Sequence, residues 1–205
     1  MEILTLAQLE DDRGRRLLLQ AVLDGALVAF PTDTLYGIGG NALDGQLKRK
    51  LDLFKGDRNR APYALLTSSL EKMLAMIAPL PSARERALSR LLPGPWTFVC
   101  RSAAAAPPPA VGPDSRIGIR VPAVTWLAAM MAAGLPPLLA SSLNRSGGLP
   151  CQDPGKAAAE FPEIELLIDG GPLPPSKGST VVDLSAAEVK LLRAGDAVFD
   201  PGMFA

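Results

Sequence analysis

"ALVAFPTDTLYGIGGNAL", residues 26–43, joins an apolar run to a polar run that includes three glycines. The apolar part, 26–30, is too short for a helix and is bounded by glycine and proline, so it is typical of a buried strand. Two threonines then flank Asp33, and a tyrosine follows. The residues from Pro31 onward allow two interpretations: an ordinary exit from a strand into a loop, or the floor of a pocket whose hydroxyl groups face a ligand.

Short apolar runs alternate with amphipathic segments along the whole chain. The first helix is expected to end at Gly25, and Ser68 with Glu71 forms a capping box for the third. The pattern predicts helices over 17–23, 44–54, 68–78, 82–92 and 123–133. It predicts strands over 26–30, 63–66, 96–100, 117–121, 137–140, 164–168, 180–184 and 189–192.

This alternation predicts an α/β fold in which residues 1–205 form a single domain. We expect a twisted, mixed and largely parallel sheet flanked by helices, because long crossovers favour parallel neighbours. Three proline-rich segments, 79–81, 107–109 and 172–175, lack the length and composition of interdomain linkers. They are therefore interpreted as loops within the domain.

Composition excludes several classes of function. The chain has 21 basic and 21 acidic residues. Its net charge of zero therefore argues neither for nor against nucleic-acid binding. With no histidine, catalytic triads of serine or cysteine with histidine are impossible, and no tightly bound metal site is expected. Neither a P-loop nor a G-x-G-x-x-G motif is present.

The cysteines and the apolar runs indicate where the protein works. Cys100 and Cys151 form no CxxC pair, and two thiols in 205 residues fit a reducing compartment, with one buried disulfide as the open alternative. No apolar stretch approaches the ~18 residues of a membrane span, and the first residues do not resemble a signal peptide. We therefore expect a cytoplasmic protein without a membrane partner.

Four polar loops follow apolar strands and could together form a ligand site. Ligands of open α/β sheets bind in the crevice beyond the strand ends, where such loops converge. The four loops are "PTDTLYG" (31–37), "KGDRNRAP" (55–62), "ASSLNRSGG" (140–148) and "PSKGSTVVD" (175–183).

The second loop extends a basic segment, 48–60, which carries six cations and two aspartates and hence a local charge of +4. Two interpretations stay open for it. It is either the solvated face of a helix and turn, or an anion site for a polyphosphate, since clustered cations bind phosphate oxygens.

Seven ordered motifs carry a resemblance to a known family. They are "PTDTLYGIG", Lys55 followed by Pro62, "PGPWT", "IGIRVP", "SSLNRSG", "GSTVVD" and "LLRAG". In this order they resemble the YrdC/Sua5/YciO family over about residues 15 to 200, in its short single-domain form. The resemblance implies a YrdC-like twisted α/β sheet with a large, concave, basic cavity.

The resemblance also implies an activity: synthesis of threonylcarbamoyl-adenylate and pyrophosphate from L-threonine, bicarbonate and ATP with Mg²⁺, for the t6A modification of tRNA. By motif position, Thr34, Arg120 and Ser179 would hold the threonine. The nucleotide would be faced by Lys55, Arg58, Ser142, Asn144 and Arg193. On this basis residues 31–43 are interpreted as a pocket floor, with Thr34 pointing inward and the glycines letting the chain turn. Proteins that transfer the t6A group, and tRNA or double-stranded RNA, would be its partners.

Three residues depart from the family pattern. Asp57 replaces the arginine of the usual K-x-R, Ala61 replaces the polar residue before the proline, and Leu66 replaces a histidine common in synthases. Arg58 or Arg60 would have to supply the missing phosphate contact. These departures leave two alternatives: a YciO-like paralogue that binds nucleotide or RNA without synthase activity, and an adenylating enzyme that uses another amine.

Overall fold

The computed structural model describes residues 1–56 and 63–205, which form a ten-stranded sheet with helices on both faces. The strands are β1 Glu2–Thr5, β2 Val28–Pro31, β3 Tyr36–Asn41, β4 Ala64–Leu66, β5 Trp96–Arg101, β6 Arg116–Arg120, β7 Leu138–Ser142, β8 Leu166–Asp169, β9 Thr180–Asp183 and β10 Lys190–Arg193. The helices are α1 Asp12–Leu23, α2 Leu47–Lys55, α3 Leu70–Ala75, α4 Ser82–Leu91, α5 Thr125–Ala132 and α6 Pro154–Glu160. Every predicted helix and strand is present with shifted bounds, and the α/β class is confirmed.

The sheet is mixed, as predicted, but it is not largely parallel. Its strand order is β1-β8-β2-β3-β7-β4-β6-β5-β9-β10. In the described part of the chain, four of the nine pairings are parallel and five are antiparallel. The pairs β2–β3, β5–β6 and β9–β10 follow one another along the chain without an intervening α-helix, so each closes as an antiparallel hairpin.

Strand β3 was not predicted, because its three glycines were interpreted as a turn. The whole strand is buried, and it pairs with β2 on one side and β7 on the other. A Cβ atom at Gly39 would collide with the carbonyl oxygen of Leu139 and lie 2.9 Å from the Cβ of Ala140. The glycines thus allow close approach of neighbouring backbones rather than a turn.

Helix α3 begins one residue later than the predicted capping box requires. Ser69, rather than Ser68, is the N-cap, and its hydroxyl accepts a hydrogen bond from the amide of Lys72 at 3.2 Å. Besides β3, two further elements were missed: the edge strand β1, and α6, which begins after the N-cap Asp153. None of the described helices combines membrane-spanning length with an apolar composition.

The two faces of the sheet carry different layers. Helices α2, α3, α4 and α6 pack on one face around residues such as Leu51, Phe98 and Ile119. Helices α1 and α5 pack on the other face through Leu18 and Leu127. The strands serve both layers because successive side chains point to opposite faces.

Candidate functional site

A cavity of about 410 Å³ is built on the sheet from every second residue of several strands. It is within the ordinary size range of small-molecule sites. From the strands, its lining comprises Phe30, Tyr36, Gly37, Ala64, Leu66, Thr97, Val99, Gly118, Arg120, Ala140, Ser141, Ser142, Val181, Leu192 and Arg193, and the every-second-residue pattern holds on β4, β5 and β6. The cavity therefore occupies a sheet face, and the polar loops form its rim, whereas the sequence predicted a crevice beyond the strand ends.

Three of the four predicted polar loops reach this cavity. Residues of 31–37, 140–148 and 175–183 line it. The remaining loop, 55–62, lies mostly outside the described residues, and Tyr63 directly after it lines the cavity.

Arg120, at the end of β6, forms a buried cationic end of the cavity, with 7% of its surface exposed. Its Nη2 donates to the carboxylate of Asp33 and, at 3.1 Å, to the hydroxyl of Thr34. Burial lowers the pKa of Arg120, and the charge of Asp33 opposes that effect. Within the described residues its buried Nε has no hydrogen-bond partner.

The turn between β2 and β3 holds Thr34 against Arg120. The hydroxyl of Thr32 donates to the carbonyl of Leu35 at 2.7 Å and accepts from the amides of Thr34 and Leu35 at 3.2 Å. The hydroxyls of Thr32 and Thr34 are 3.2 Å apart. This hydroxyl-organised turn explains why Thr34 is buried and contacts the guanidinium.

A second arginine is tied to the start of β9. Arg193 Nη2 donates to the carbonyl of Ser179 at 2.8 Å and to its hydroxyl at 3.1 Å. The same hydroxyl is 2.8 Å from the hydroxyl of Thr97 on β5. Burial lowers the pKa of Arg193, and the carbonyl and hydroxyl oxygens of Ser179 hold its guanidinium in place.

Lys55, Ser142 and Asn144 form a polar cluster beside the cavity. The ammonium of Lys55 donates to the carbonyl of Ser142 at 2.9 Å and to Oδ1 of Asn144 at 2.5 Å. The hydroxyl of Ser142 donates to the same amide oxygen at 2.7 Å. The amide nitrogen of Asn144 donates to the carbonyl of Gly148 at 2.6 Å, which fixes its orientation.

Comparison with known proteins identifies this architecture. The Sua5/YciO/YrdC family model, described as "Telomere recombination", matches residues 20–195. The chain belongs to this family.

Relatives and solved structures of the Sua5/YciO/YrdC family give a consistent picture. A protein of Pyrococcus abyssi named threonylcarbamoyl-AMP synthase is 32% identical over 175 residues, 85% of this chain and 52% of that protein. A Chromobacterium violaceum protein of the same name is 27% identical over 184 residues, 90% of this chain and 95% of that protein. The structure of P. abyssi Sua5 complexed with L-threonine has a TM-score of 0.82 and 30% identity, over 90% of this chain and 55% of that one. The chain thus spans about half of the P. abyssi relative.

The structure brings together seven of the eight site residues that the sequence suggested in this Sua5/YciO/YrdC chain. Thr34, Arg120, Ser142, Ser179 and Arg193 line the cavity. Lys55 and Asn144 are hydrogen-bonded to the carbonyl and to the hydroxyl of Ser142, respectively. The eighth residue, Arg58, lies outside the described residues, as do Asp57, Arg60 and Ala61, whereas the departure at Leu66 lines the cavity. The ligand that each residue holds stays a prediction.

The basic segment 48–60 divides into two parts. Lys48 pairs with Asp52 at 2.6 Å, and Lys50 donates to the carbonyl of Gly25 at 2.6 Å. These two contacts favour the interpretation of the segment as a solvated helix face, whereas Lys55 is buried in the polar cluster. The predicted basic character of the cavity rests on Arg120, Lys177 and Arg193, and its overall potential stays a prediction.

Sequence reasoning missed three residues of the site. Asp33 holds Arg120, Thr97 contacts Ser179, and Lys177 lines the cavity. Asp33 and Thr97 lie in the family motifs "PTDTLYGIG" and "PGPWT", and Lys177 lies in the polar loop "PSKGSTVVD", so membership of these segments was the available signal.

In this Sua5/YciO/YrdC chain, burial favours the protonated forms of one tyrosine and both cysteines. Burial raises the pKa of Tyr36 to about 12 and that of the Cys100 thiol to about 12, and it also raises the pKa of Cys151. Both cysteines are free. Across 1–56 and 63–205, no three His, Cys, Asp or Glu side chains are grouped to hold a metal ion. The cavity lining itself provides hydroxyl groups and the cationic side chains of Arg120, Lys177 and Arg193.

Proposed function

We propose that this chain synthesises threonylcarbamoyl-AMP and pyrophosphate from L-threonine, bicarbonate and ATP. Relatives with the synthase name support the proposal, as does the buried Arg120 in a cavity of suitable size. The product would feed t6A modification of tRNA, with tRNA and t6A-transfer proteins as its downstream partners.

Arg120 is the observation that carries the amino-acid end of the proposal. A buried guanidinium whose Nε lacks a partner among the described residues is costly to maintain unless a ligand satisfies it. The carboxylate of L-threonine would supply a hydrogen-bond acceptor for this guanidinium, whose charge Asp33 already balances. Thr34 and Ser179 would bind the same substrate through their hydroxyls.

Lys55, Ser142, Asn144 and Arg193 are proposed to hold ATP, which would enter as its Mg²⁺ complex. Arg193 lines the cavity and the ammonium of Lys55 lies beside it on the carbonyl of Ser142, so that each could neutralise part of the charge of a polyphosphate. The proposal adds Arg58, in place of the arginine that the family usually carries at position 57.

The proposed reaction needs no histidine. The threonine amine adds to CO2 from bicarbonate, loses a proton and becomes a carbamate. A carbamate oxygen then attacks the α-phosphorus of ATP, and the bond from that phosphorus to the bridging oxygen of pyrophosphate breaks. Catalysis of this kind depends on positioning and charge neutralisation, which the cations and hydroxyls of the site can provide.

The test measures pyrophosphate from the pure protein with Mg²⁺, ATP, bicarbonate and L-threonine, together with the mass of the nucleotide product. We expect pyrophosphate that depends on threonine and on bicarbonate. A rate equal to the threonine-free control would refute the proposal. ATP binding without such turnover would favour the YciO-like alternative, and turnover with another amino acid would favour a different adenylating enzyme.

A further inference from the structure

Arg145 connects three separate segments next to the polar cluster of Lys55, Ser142 and Asn144. Its Nη1 donates to the carbonyl of Phe54 at 2.5 Å, near the end of α2. Its Nη2 donates to the carboxylate of Glu163 at 2.5 Å, in the segment before β8. The 140–148 loop is thus anchored to two other parts of the fold through one side chain.

The guanidinium also stacks against two aromatic rings. It lies 4.6 Å from the ring centroid of Phe54 and 5.6 Å from that of Phe161. The two rings are 5.4 Å apart and both belong to the core. A planar guanidinium can stack and donate at once, which a lysine ammonium cannot do. Although 43% of its side chain is exposed, Arg145 therefore has two hydrogen-bond partners and two rings of the core that favour one orientation.

The loop around Arg145 forms hydrogen bonds with both the backbone and the side chain of Lys55. The amide of Ser146 donates to the carbonyl of Lys55 at 2.9 Å, which satisfies a carbonyl at the helix end that lacks an intrahelical donor. Asn144 accepts a hydrogen bond from the ammonium of the same lysine. Arg145 lies between these two residues in the sequence, so its anchor fixes the spacing of both contacts.

We infer that Arg145 is a positioning residue for the nucleotide end of the cavity. It holds the end of α2 against the 140–148 loop, and thereby fixes the ammonium of Lys55 beside Ser142. The inference about ATP rests on the proposed function, whereas the inference about the position of Lys55 does not.

The experiment compares Arg145→Met with Arg90→Met, which changes an exposed arginine of α4 outside the cavity lining. Steady-state kinetics measure KM for ATP and for L-threonine, and mass spectrometry measures acetylation of Lys55 by acetic anhydride. In Arg145→Met we expect the KM for ATP to rise at least fivefold while that for L-threonine stays within twofold. Lys55, which is 4% exposed in the wild type, should be acetylated at least threefold faster. Arg90→Met should match the wild type in all three values.

Two results would overturn the inference. Unchanged acetylation of Lys55 in Arg145→Met would show that Arg145 does not position it. A parallel rise of both KM values would show a general loss of structure rather than an effect on the nucleotide end. If the wild type releases no pyrophosphate, the proposed function fails, and the acetylation rates alone decide the role of Arg145.

Discussion

Arg120 and Asp33 form an ion pair inside the cavity wall, with only 8% and 12% of their side chains exposed. The second carboxylate oxygen of Asp33 accepts from the amide of Ala123 at 3.1 Å, so the pair ties the β2–β3 turn to the residues after β6. Asp33 thus limits the rotation of the guanidinium that we propose to bind the substrate carboxylate. One nitrogen of Arg120 is committed to this contact and to Thr34.

Asp33→Ala should destabilise the protein by about 3 kcal/mol, because it leaves a buried cation without its countercharge. Asp114→Ala is the matched control: it removes an aspartate that pairs with Arg116 at the surface, where such pairs contribute about 1 kcal/mol or less. Urea denaturation of the two variants measures the difference. Equal losses of stability would mean that burial of the Arg120–Asp33 pair has no energetic consequence.

Gly195→Ala should disturb the substrate end of the cavity, since a Cβ atom there would collide with backbone atoms of Gly178, Ser179 and Thr180. We expect a loss of about 1–3 kcal/mol of stability and a higher KM for L-threonine. Gly45→Ala, where a Cβ atom meets nothing within 4 Å, serves as the control. A Gly195→Ala variant with wild-type stability and KM would contradict the close contact.

Thr97→Val removes the hydroxyl that lies 2.8 Å from that of Ser179 and keeps the shape of the side chain. Losing this hydrogen bond should cost about 1 kcal/mol of stability and, because it releases the hydroxyl of Ser179, raise the KM for L-threonine. Thr97→Ser retains the hydroxyl and should stay close to the wild type. Equal KM values for the valine and serine variants would exclude a role for the hydroxyl.

Arg58→Ala tests the proposed phosphate contact in the segment outside the described residues. Loss of a charged hydrogen bond costs about 1.5–3 kcal/mol, so ATP affinity should fall at least tenfold while threonine affinity hardly changes. Asp57→Arg, which restores the family pattern, should keep or improve ATP affinity. Calorimetry with both variants decides the question, and unchanged ATP affinity in Arg58→Ala would leave Lys55 as the cation proposed for that side.

Cys100 should make the protein less stable at alkaline pH. Its folded-state pKa is about 12 because the thiol is buried, against 9.0 for an ordinary thiol. Above pH 9 the unfolded chain releases this proton while the folded chain keeps it, so stability falls as the pH rises toward 12. The loss is about 1.4 kcal/mol per pH unit for one proton. Denaturation at several pH values should show a slope in Cys100→Ala that is shallower than the wild-type slope by this amount, with the remaining slope due to the buried Tyr36 and Cys151; identical slopes would refute the assignment.

The sequence was sufficient for the elements with a strong periodic signal and for the loops that carry family motifs. It predicted the strand before Pro31, and the family resemblance assigned Thr34, Arg120 and Ser179 to one site; all three line the cavity. It failed at β3, where glycines serve close packing of backbones and local propensity favours a turn. Asp33 and Thr97 were missed because their partners are distant in sequence, so no local pattern reveals the pairings.

The alternation of cavity and core residues along single strands determines which insertions and deletions the protein can tolerate. On β6, Gly118 and Arg120 line the cavity, and Ile117 and Ile119 pack in the core beneath it. Deleting one residue within this strand would exchange the two sets, so that an arginine would enter the apolar core and an isoleucine would face the ligand. Loops at the rim have no such alternation of side chains between the cavity and the core. Changes of length during evolution are therefore expected in the loops, and changes of specificity by substitution at alternate strand positions.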